Sequence, residues 1–169
     1  MRRVGAAVAA LALVAASAAG AATLRGSGEN DRLTGTSKAD RMDGRRGKDR
    51  LFGRGGGDTI RGGRGRDRLA GNRGHDLLLG GPRSDRLNGG PGDDDLIGAT
   101  GADRFRDGPG LDVVDAGRGD DIILSRNGTE DQIDCGPGVD TAVLDETEDG
   151  VFDCEELRLP PEPESGPEG

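Results

Sequence analysis

The sequence predicts an all-β fold, a parallel solenoid wound from nine-residue units, and three observations predict it. An aspartate falls on every ninth position, at Asp31, Asp40, Asp49, Asp58, Asp67, Asp76, Asp85, Asp94, Asp103, Asp112 and Asp121. An apolar residue stands two places after each, from Leu33, Met42 and Leu51 through to Val114 and Ile123. A glycine stands five places before each of the first nine, from Gly26 to Gly98. Three residue types locked to one period mark a repeat architecture, in which a unit buries its apolar residue only against its neighbours.

Each unit reads as a six-residue turn followed by a three-residue strand. The turn is rich in glycine, which reaches positive φ without strain. The strand has one central apolar residue pointing inward between two that point outward. Two turns and two strands close one coil of eighteen residues. Adjacent coils then pair at the usual strand spacing of about 4.8 Å. Asp31, Asp49, Asp67, Asp85, Asp103 and Asp121 are expected to stack on one edge, and Asp40, Asp58, Asp76, Asp94 and Asp112 on the other. Carboxylates about 5 Å apart repel unless positive charge lies between them. A hard cation that accepts flexible oxygen coordination suits carboxylates and turn carbonyls, which points to calcium ahead of magnesium or zinc.

The unit resembles the glycine-rich nonapeptide G-G-x-G-x-D-x-U-x of haemolysin-type, or RTX, calcium-binding proteins. GGRGRD at 62–67 and GGPGDD at 89–94 match its first six positions in full. GRRGKD at 44–49, GRGGGD at 53–58, GNRGHD at 71–76, GATGAD at 98–103, DGPGLD at 107–112, AGRGDD at 116–121 and CGPGVD at 135–140 are near matches. GSGEND at 26–31, GTSKAD at 35–40 and GGPRSD at 80–85 are weaker. The resemblance implies a right-handed parallel β-roll with several calcium ions between the turns of neighbouring coils. Their ligands would be turn carbonyls and the eleven periodic aspartates together with Asp140.

Four segments follow. Residues 1–22 carry Met1-Arg2-Arg3, an apolar run from Val4 to Ala16 and small residues after it, the pattern of a secretory signal peptide. That run is too short for a confident membrane span, and no later segment could form one. The mature protein is therefore expected outside the cell, as a monomer. RTX proteins typically resemble substrates of a one-step exporter that reads a C-terminal signal; an N-terminal signal departs from that and favours a plain secreted or wall-associated protein. Residues 23–143 are the roll. Within it, SRNGTEDQID at 125–134 has ten residues where nine are expected, so the phase slips to Asp131 and Ile133.

Residues 144–159 are expected to cap the roll. Cys135 and Cys154, the two cysteines, fit an oxidising compartment. One intramolecular disulfide between them ties the last repeat to the cap, worth about 3 kcal/mol on the chain-entropy argument. Residues 160–169, PPEPESGPEG, read as a disordered tail. DETEDGVFDCEE at 145–156 has the ligand spacing of an EF-hand loop but lacks helix-forming flanks.

A third of the chain is charged and it contains no Trp or Tyr. A ladder of single apolar residues makes a thin core, so metal binding must supply much of the folding free energy. Charge is also divided. Residues 41–86 hold thirteen basic and six acidic residues, net +7, and residues 87–169 hold five basic and twenty-three acidic, net −18. Extra Asp93, Asp107 and Asp120 predict tighter sites in the second half. Arg32, Arg50, Arg68, Arg86 and Arg104 recur at intervals of eighteen and predict an outward ladder able to bind an anionic polymer of the cell envelope. No aromatic residues interleave it, so nucleic acid is not an expected partner. Arginine-rich turns raise another way of holding the stack, guanidinium–carboxylate pairs.

His75, the single histidine, has no nucleophile beside it, and a narrow filled roll leaves no substrate cavity. The reading is a secreted calcium-binding protein without catalytic activity. The alternative is an adhesin-like or wall-bound scaffold using the arginine ladder.

Overall fold

The computed structural model describes residues 13–15, 20–145 and 150–158. Among them there is no helix. The strands form two parallel sheets and one short pair. The first sheet runs Leu13–Ala15, Arg32–Thr34, Arg50–Gly55, Arg68–Arg73, Arg86–Asn88, Arg104–Arg106, Ile122–Leu124, Thr141–Val143 and Glu156–Arg158. The second runs Thr23–Arg25, Arg41–Asp43, Thr59–Arg61, Leu77–Pro82, Asp95–Thr100, Val113–Asp115, Gln132–Asp134 and Val151–Phe152. The chain alternates between them, so each strand pairs with the one a full coil away. This is the parallel β-solenoid that the period predicts.

The register follows the repeat. Leu33 pairs with Leu51, Leu51 with Leu69, and Leu87 with both Leu69 and Phe105. Across the roll, Met42 pairs with Ile60, Ile60 with Leu78 and Leu78 with Leu96. These apolar residues are buried, as are Val114, Ile123, Ile133 and Ala142, and together they fill a single column between the sheets. A strand here contributes one core side chain, since its neighbours face outward. The apolar core is therefore narrow along its whole length.

Short strands alone would leave many backbone groups open at the turns. Stacking closes them, because turn amides donate to carbonyls of the next coil. Gly44 N–H reaches Arg61 O at 2.9 Å, Gly90 N–H reaches Asp107 O at 2.8 Å, and Gly92 N–H reaches Pro109 O at 2.9 Å. Arg46–Gly47 and Arg64–Gly65 form a third, two-stranded parallel pair within the turns.

The phase slip is absorbed without disturbing the core. Up to Ile97 and Asp115, pairing partners along the second sheet are eighteen residues apart; between Val113–Asp115 and Gln132–Asp134 they are nineteen apart, and from Ile133 to Val151 eighteen again. Val114 still meets Ile133, so the extra residue sits in the turn.

Two boundaries look different in three dimensions. Leu13–Ala15, inside the predicted signal segment, lies as a strand along Arg32–Thr34. The rest of that segment's apolar run and the tail at 160–169 fall outside the described residues. In the predicted cap, Val151–Phe152 and Glu156–Arg158 continue the two sheets by one strand each, while residues 146–149 fall outside the described residues. Among the described residues the elements on and beside the EF-hand spacing at 145–156 are strands, Thr141–Val143, Val151–Phe152 and Glu156–Arg158, with no helix flanking it. Cys135 and Cys154 are joined, with Cα atoms 5.2 Å apart, tying the last coil to the one before it.

Candidate metal centre

Asp and the apolar residue two places later lie on the same side of the strand, so the aspartates point inward with the core. All the periodic aspartates, with Asp131 and Asp140, are at most 3% exposed. They form two ladders. On the first edge, Asp31 N–H donates to Asp49 Oδ1 at 2.7 Å, Asp49 to Asp67 at 2.8 Å, Asp67 to Asp85 at 2.7 Å, Asp85 to Asp103 and Asp103 to Asp121 at 2.6 Å, and Asp121 to Asp140 at 2.7 Å. Asp140 N–H ends that ladder on Glu155 Oε2 at 2.8 Å. On the second edge, Asp40 donates to Asp58 at 2.7 Å, Asp58 to Asp76 at 2.7 Å, Asp76 to Asp94 at 2.8 Å, Asp94 to Asp112 at 2.7 Å and Asp112 to Asp131 at 2.8 Å. From Asp40 onward, one carboxylate oxygen of each ladder aspartate thus carries the backbone of the preceding coil.

The other oxygen is the informative one. Oδ2 of Asp49, Asp58, Asp67, Asp76, Asp85, Asp94, Asp103, Asp112, Asp121 and Asp140 is buried and accepts no hydrogen bond. A buried carboxylate oxygen without a partner is costly unless a cation lies against it. The glycine five places earlier explains the space around it. A Cβ on Gly44 would lie 2.6 Å from Asp49 Oδ2 and 2.6 Å from the Gly62 carbonyl oxygen of the next coil. The missing side chain therefore lets a carboxylate oxygen and a turn carbonyl from successive coils converge. Oxygen donors of these two kinds are what a calcium ion takes.

Asp31 and Asp40 differ. Ser27 N–H reaches Asp31 Oδ2 at 2.6 Å and its hydroxyl reaches the same oxygen at 3.1 Å. Thr36 N–H reaches Asp40 Oδ2 at 2.5 Å and its hydroxyl lies 3.1 Å away. In these first two turns, as at Asp131, residues of the turn itself occupy the oxygen that stays open at the other ladder aspartates.

The electrostatics point the same way. Burial pushes the Asp49 carboxyl up to about 6, those of Asp58, Asp94 and Asp121 to about 7, and those of Asp85 and Asp112 to about 8. The amide donated to Oδ1 opposes each rise, and the carboxylates one coil away add to it. Asp67, Asp76, Asp103 and Asp140 are raised by burial as well. The ladders resist carrying full negative charge on their own.

Guanidinium groups do not relieve them. Among the described residues the ion pairs are His75 with Asp93 at 3.6 Å and Arg158 with Glu156 at 2.9 Å, both on the surface. Among the described residues no arginine or lysine forms an ion pair with a ladder aspartate.

Comparison with known families meets this geometry on a single motif. The RTX calcium-binding nonapeptide repeat matches in four copies, at residues 25–60, 52–87, 71–105 and 97–129. The chain belongs to the RTX calcium-binding repeat family. Comparison with curated proteins found no match. The four matched stretches, together residues 25–129, contain nine of the ladder aspartates whose Oδ2 stands unpartnered, Asp49 to Asp121.

The predicted arginine ladder exists as a row. Arg32, Arg50, Arg68, Arg86 and Arg104 pair in register and are exposed. With Lys48 and Arg66 they line a groove of about 800 Å³ beside the first ladder. The facing positions on the second sheet, Arg41, Thr59, Leu77, Asp95 and Val113, make no ladder.

Two acidic residues were not among the predicted ligands. Asp131 holds a ladder place, hidden by the phase slip. Asp107 stands where nine other units have glycine, and its Oδ2 is also buried and unpartnered. The available signal was an acidic residue in a glycine slot for Asp107 and the slipped phase of the ten-residue unit for Asp131.

Proposed function

We propose that this RTX β-roll folds around calcium and that this is its function: a secreted, non-enzymatic protein ordered by the ion outside the cell. The carrying observation is the run of ten buried Oδ2 atoms without a hydrogen-bond partner, from Asp49 to Asp140, each on a ladder whose carboxyl groups burial has raised or crowded. The residues that would hold the ions are these aspartates with turn carbonyls such as that of Gly62. Bound calcium supplies the positive charge that lets the stacked carboxylates ionise. Asp31 and Asp40 belong to the roll as amide acceptors closed by Ser27 and Thr36, and are not ligands on this reading.

The thin core supports the coupling of folding to the ion, since one buried apolar residue per nine does little against the entropy of ordering the chain. Export rests on the N-terminal sequence pattern, and the disulfide fits an oxidising destination. An anionic-polymer scaffold built on the arginine row draws no support from the family match, and the calcium reading is preferred.

Limited proteolysis tests the proposal. The chain without residues 1–22 should be cut throughout in chelator and resist cleavage between residues 23 and 145 once calcium is added. Equal resistance in both conditions would refute it. Sequencing the N-terminus of the exported protein tests the signal, with cleavage expected between Ala18 and Ala22.

A further inference from the structure

The coil at the phase slip is built differently from the others. Asp107, Asp112 and Asp131 offer carboxylate oxygens that all lie within 4.8 Å of one another, and all three residues are buried. Among the described residues this is the one such group. In nine units the position of Asp107 is glycine, because a side chain there would run into the ladder carboxylate and the next coil's carbonyl. The following turn, residues 125–131, is one residue longer, and here the aspartate is accommodated with 1% exposure.

The cluster is not a self-satisfied hydrogen-bond knot. Oδ2 of Asp107 and Oδ2 of Asp112 are buried and accept nothing. Asp112 Oδ1 is engaged by Asp94 N–H at 2.7 Å and Asp107 Oδ1 by Gly108 N–H at 2.7 Å. Asp131 is held by the lengthened turn. Ser125 hydroxyl donates to its Oδ2 at 2.8 Å, and Asn127 Nδ2 donates to the same oxygen at 2.9 Å, while Asp112 N–H donates to its Oδ1 at 2.8 Å. Asn127 Nδ2 also reaches the Gly108 carbonyl at 2.5 Å and lies 3.4 Å from Asp107 Oδ1. None of the three carboxylates forms an ion pair among the described residues. Ser125 and Asn127 thus fix one wall of the cluster, in which Asp107 Oδ2 and Asp112 Oδ2 are the oxygens left without a partner.

We propose that Asp107, Asp112 and Asp131 form a three-carboxylate calcium site, tighter than the sites of the regular turns and filled before them. Carboxylate number tunes calcium affinity, and three at one place exceed what a regular turn gathers. Its filling would order the coil beside Cys135, which the disulfide already ties to the last strands, so the roll grows from its C-terminal end. The growth step rests on the calcium-folding reading above; the site itself does not.

Calcium titration of the chain lacking residues 1–22, by calorimetry against a competing chelator, tests it with Asp107→Gly, Asp107→Asn and, as a regular-turn control, Asp85→Asn. Glycine is the residue of nine units at that position, so the first variant carries the commonest residue of the repeat there. Both Asp107 variants should lose the tightest step, which weakens by roughly tenfold or more, while Asp85→Asn keeps it. Identical tightest steps in the wild type and both Asp107 variants would overturn the site. Loss of that step in Asp85→Asn alone would also overturn it. A wild-type chain that binds this first ion yet stays unfolded at saturation would refute the growth step and the folding proposal while leaving the site standing. A wild type that binds no calcium would remove all three.

Discussion

The coils of residues 41–86 and those of residues 87–145 share one backbone and one core column, yet their turns carry opposite charge. In the basic half, Arg45, Arg54, Asn72 and Arg83 hold φ of 72°, 85°, 80° and 84°, a region that favours glycine. Five glycines share that region there, Gly47, Gly56, Gly63, Gly74 and Gly81, whereas in the acidic half nine glycines from Gly90 to Gly136 hold it and Ala99 is the one side chain among them. The residue before the ladder aspartate changes as well. Lys48, Arg66 and His75 stand there in the first half, Asp93 and Asp120 in the second. The comparison teaches that the ladder positions specify the roll, since both halves keep them. The turn positions set how strongly each site attracts a cation.

Removing a ladder carboxylate in each half probes this contrast with the largest effect. Asp67→Ala leaves Asp49 N–H without its acceptor, and Asp112→Ala does the same to Asp94 N–H. Each should cost about 1–3 kcal/mol from the orphaned amide, before any loss of metal. Asp112→Ala should raise the calcium midpoint of folding much further than Asp67→Ala. Equal midpoints would show that turn charge does not tune the sites.

Next in size is the dependence on pH. Burial raises the folded carboxyls above their ordinary value of 3.8, to about 6 for Asp49 and about 8 for Asp85 and Asp112. The folded chain therefore binds protons that the unfolded chain has released. This contribution to metal-free stability is greatest below about pH 4 and is lost as pH rises towards 8. Circular dichroism in chelator should show β structure near pH 4.5 that fades by pH 8, with calcium restoring it. A chelated chain equally disordered at both values would contradict the assignment.

Arg50→Glu combined with Arg68→Glu reverses part of the basic row. Exposed charges act weakly and are screened by salt, so calcium affinity should improve only a few-fold at low ionic strength and not at all in molar salt. An improvement that survives high salt would mean the substitutions act through structure instead of charge.

The smallest effect is expected at Arg54→Gly. Relief of the left-handed conformation, worth about 1–2 kcal/mol, is largely offset by the greater freedom that glycine gives the unfolded chain. The melting temperature should move by a few degrees at most, and a large loss would show that the Arg54 side chain supports the turn.

Much of this was legible beforehand for a simple reason. A strict period fixes the stacking of Asp49 on Asp67 and of Leu51 on Leu69, because a parallel coil has no other register that keeps every apolar residue inside. The inward direction of the carboxylates was also legible, since Asp49 enters the strand Arg50–Gly55 two residues before Leu51 and so shares its side. What the period could not show is how each oxygen is used. Asp49 and Asp31 occupy equivalent places, but Ser27 beside Asp31 closes its second oxygen, and only the turn's path reveals that. Asp131 escaped the predicted ligands because one inserted residue moved it off the ninth position. Asp107 escaped because it lies outside the periodic row, though a three-dimensional stack brings it beside Asp112.

The most direct test of calcium-driven folding is a far-UV circular dichroism titration of residues 23–169, starting from fully chelated chain near pH 7.5. A change from coil to β signal as calcium is added is the predicted result. A β signal already complete in chelator and unmoved by calcium would contradict it.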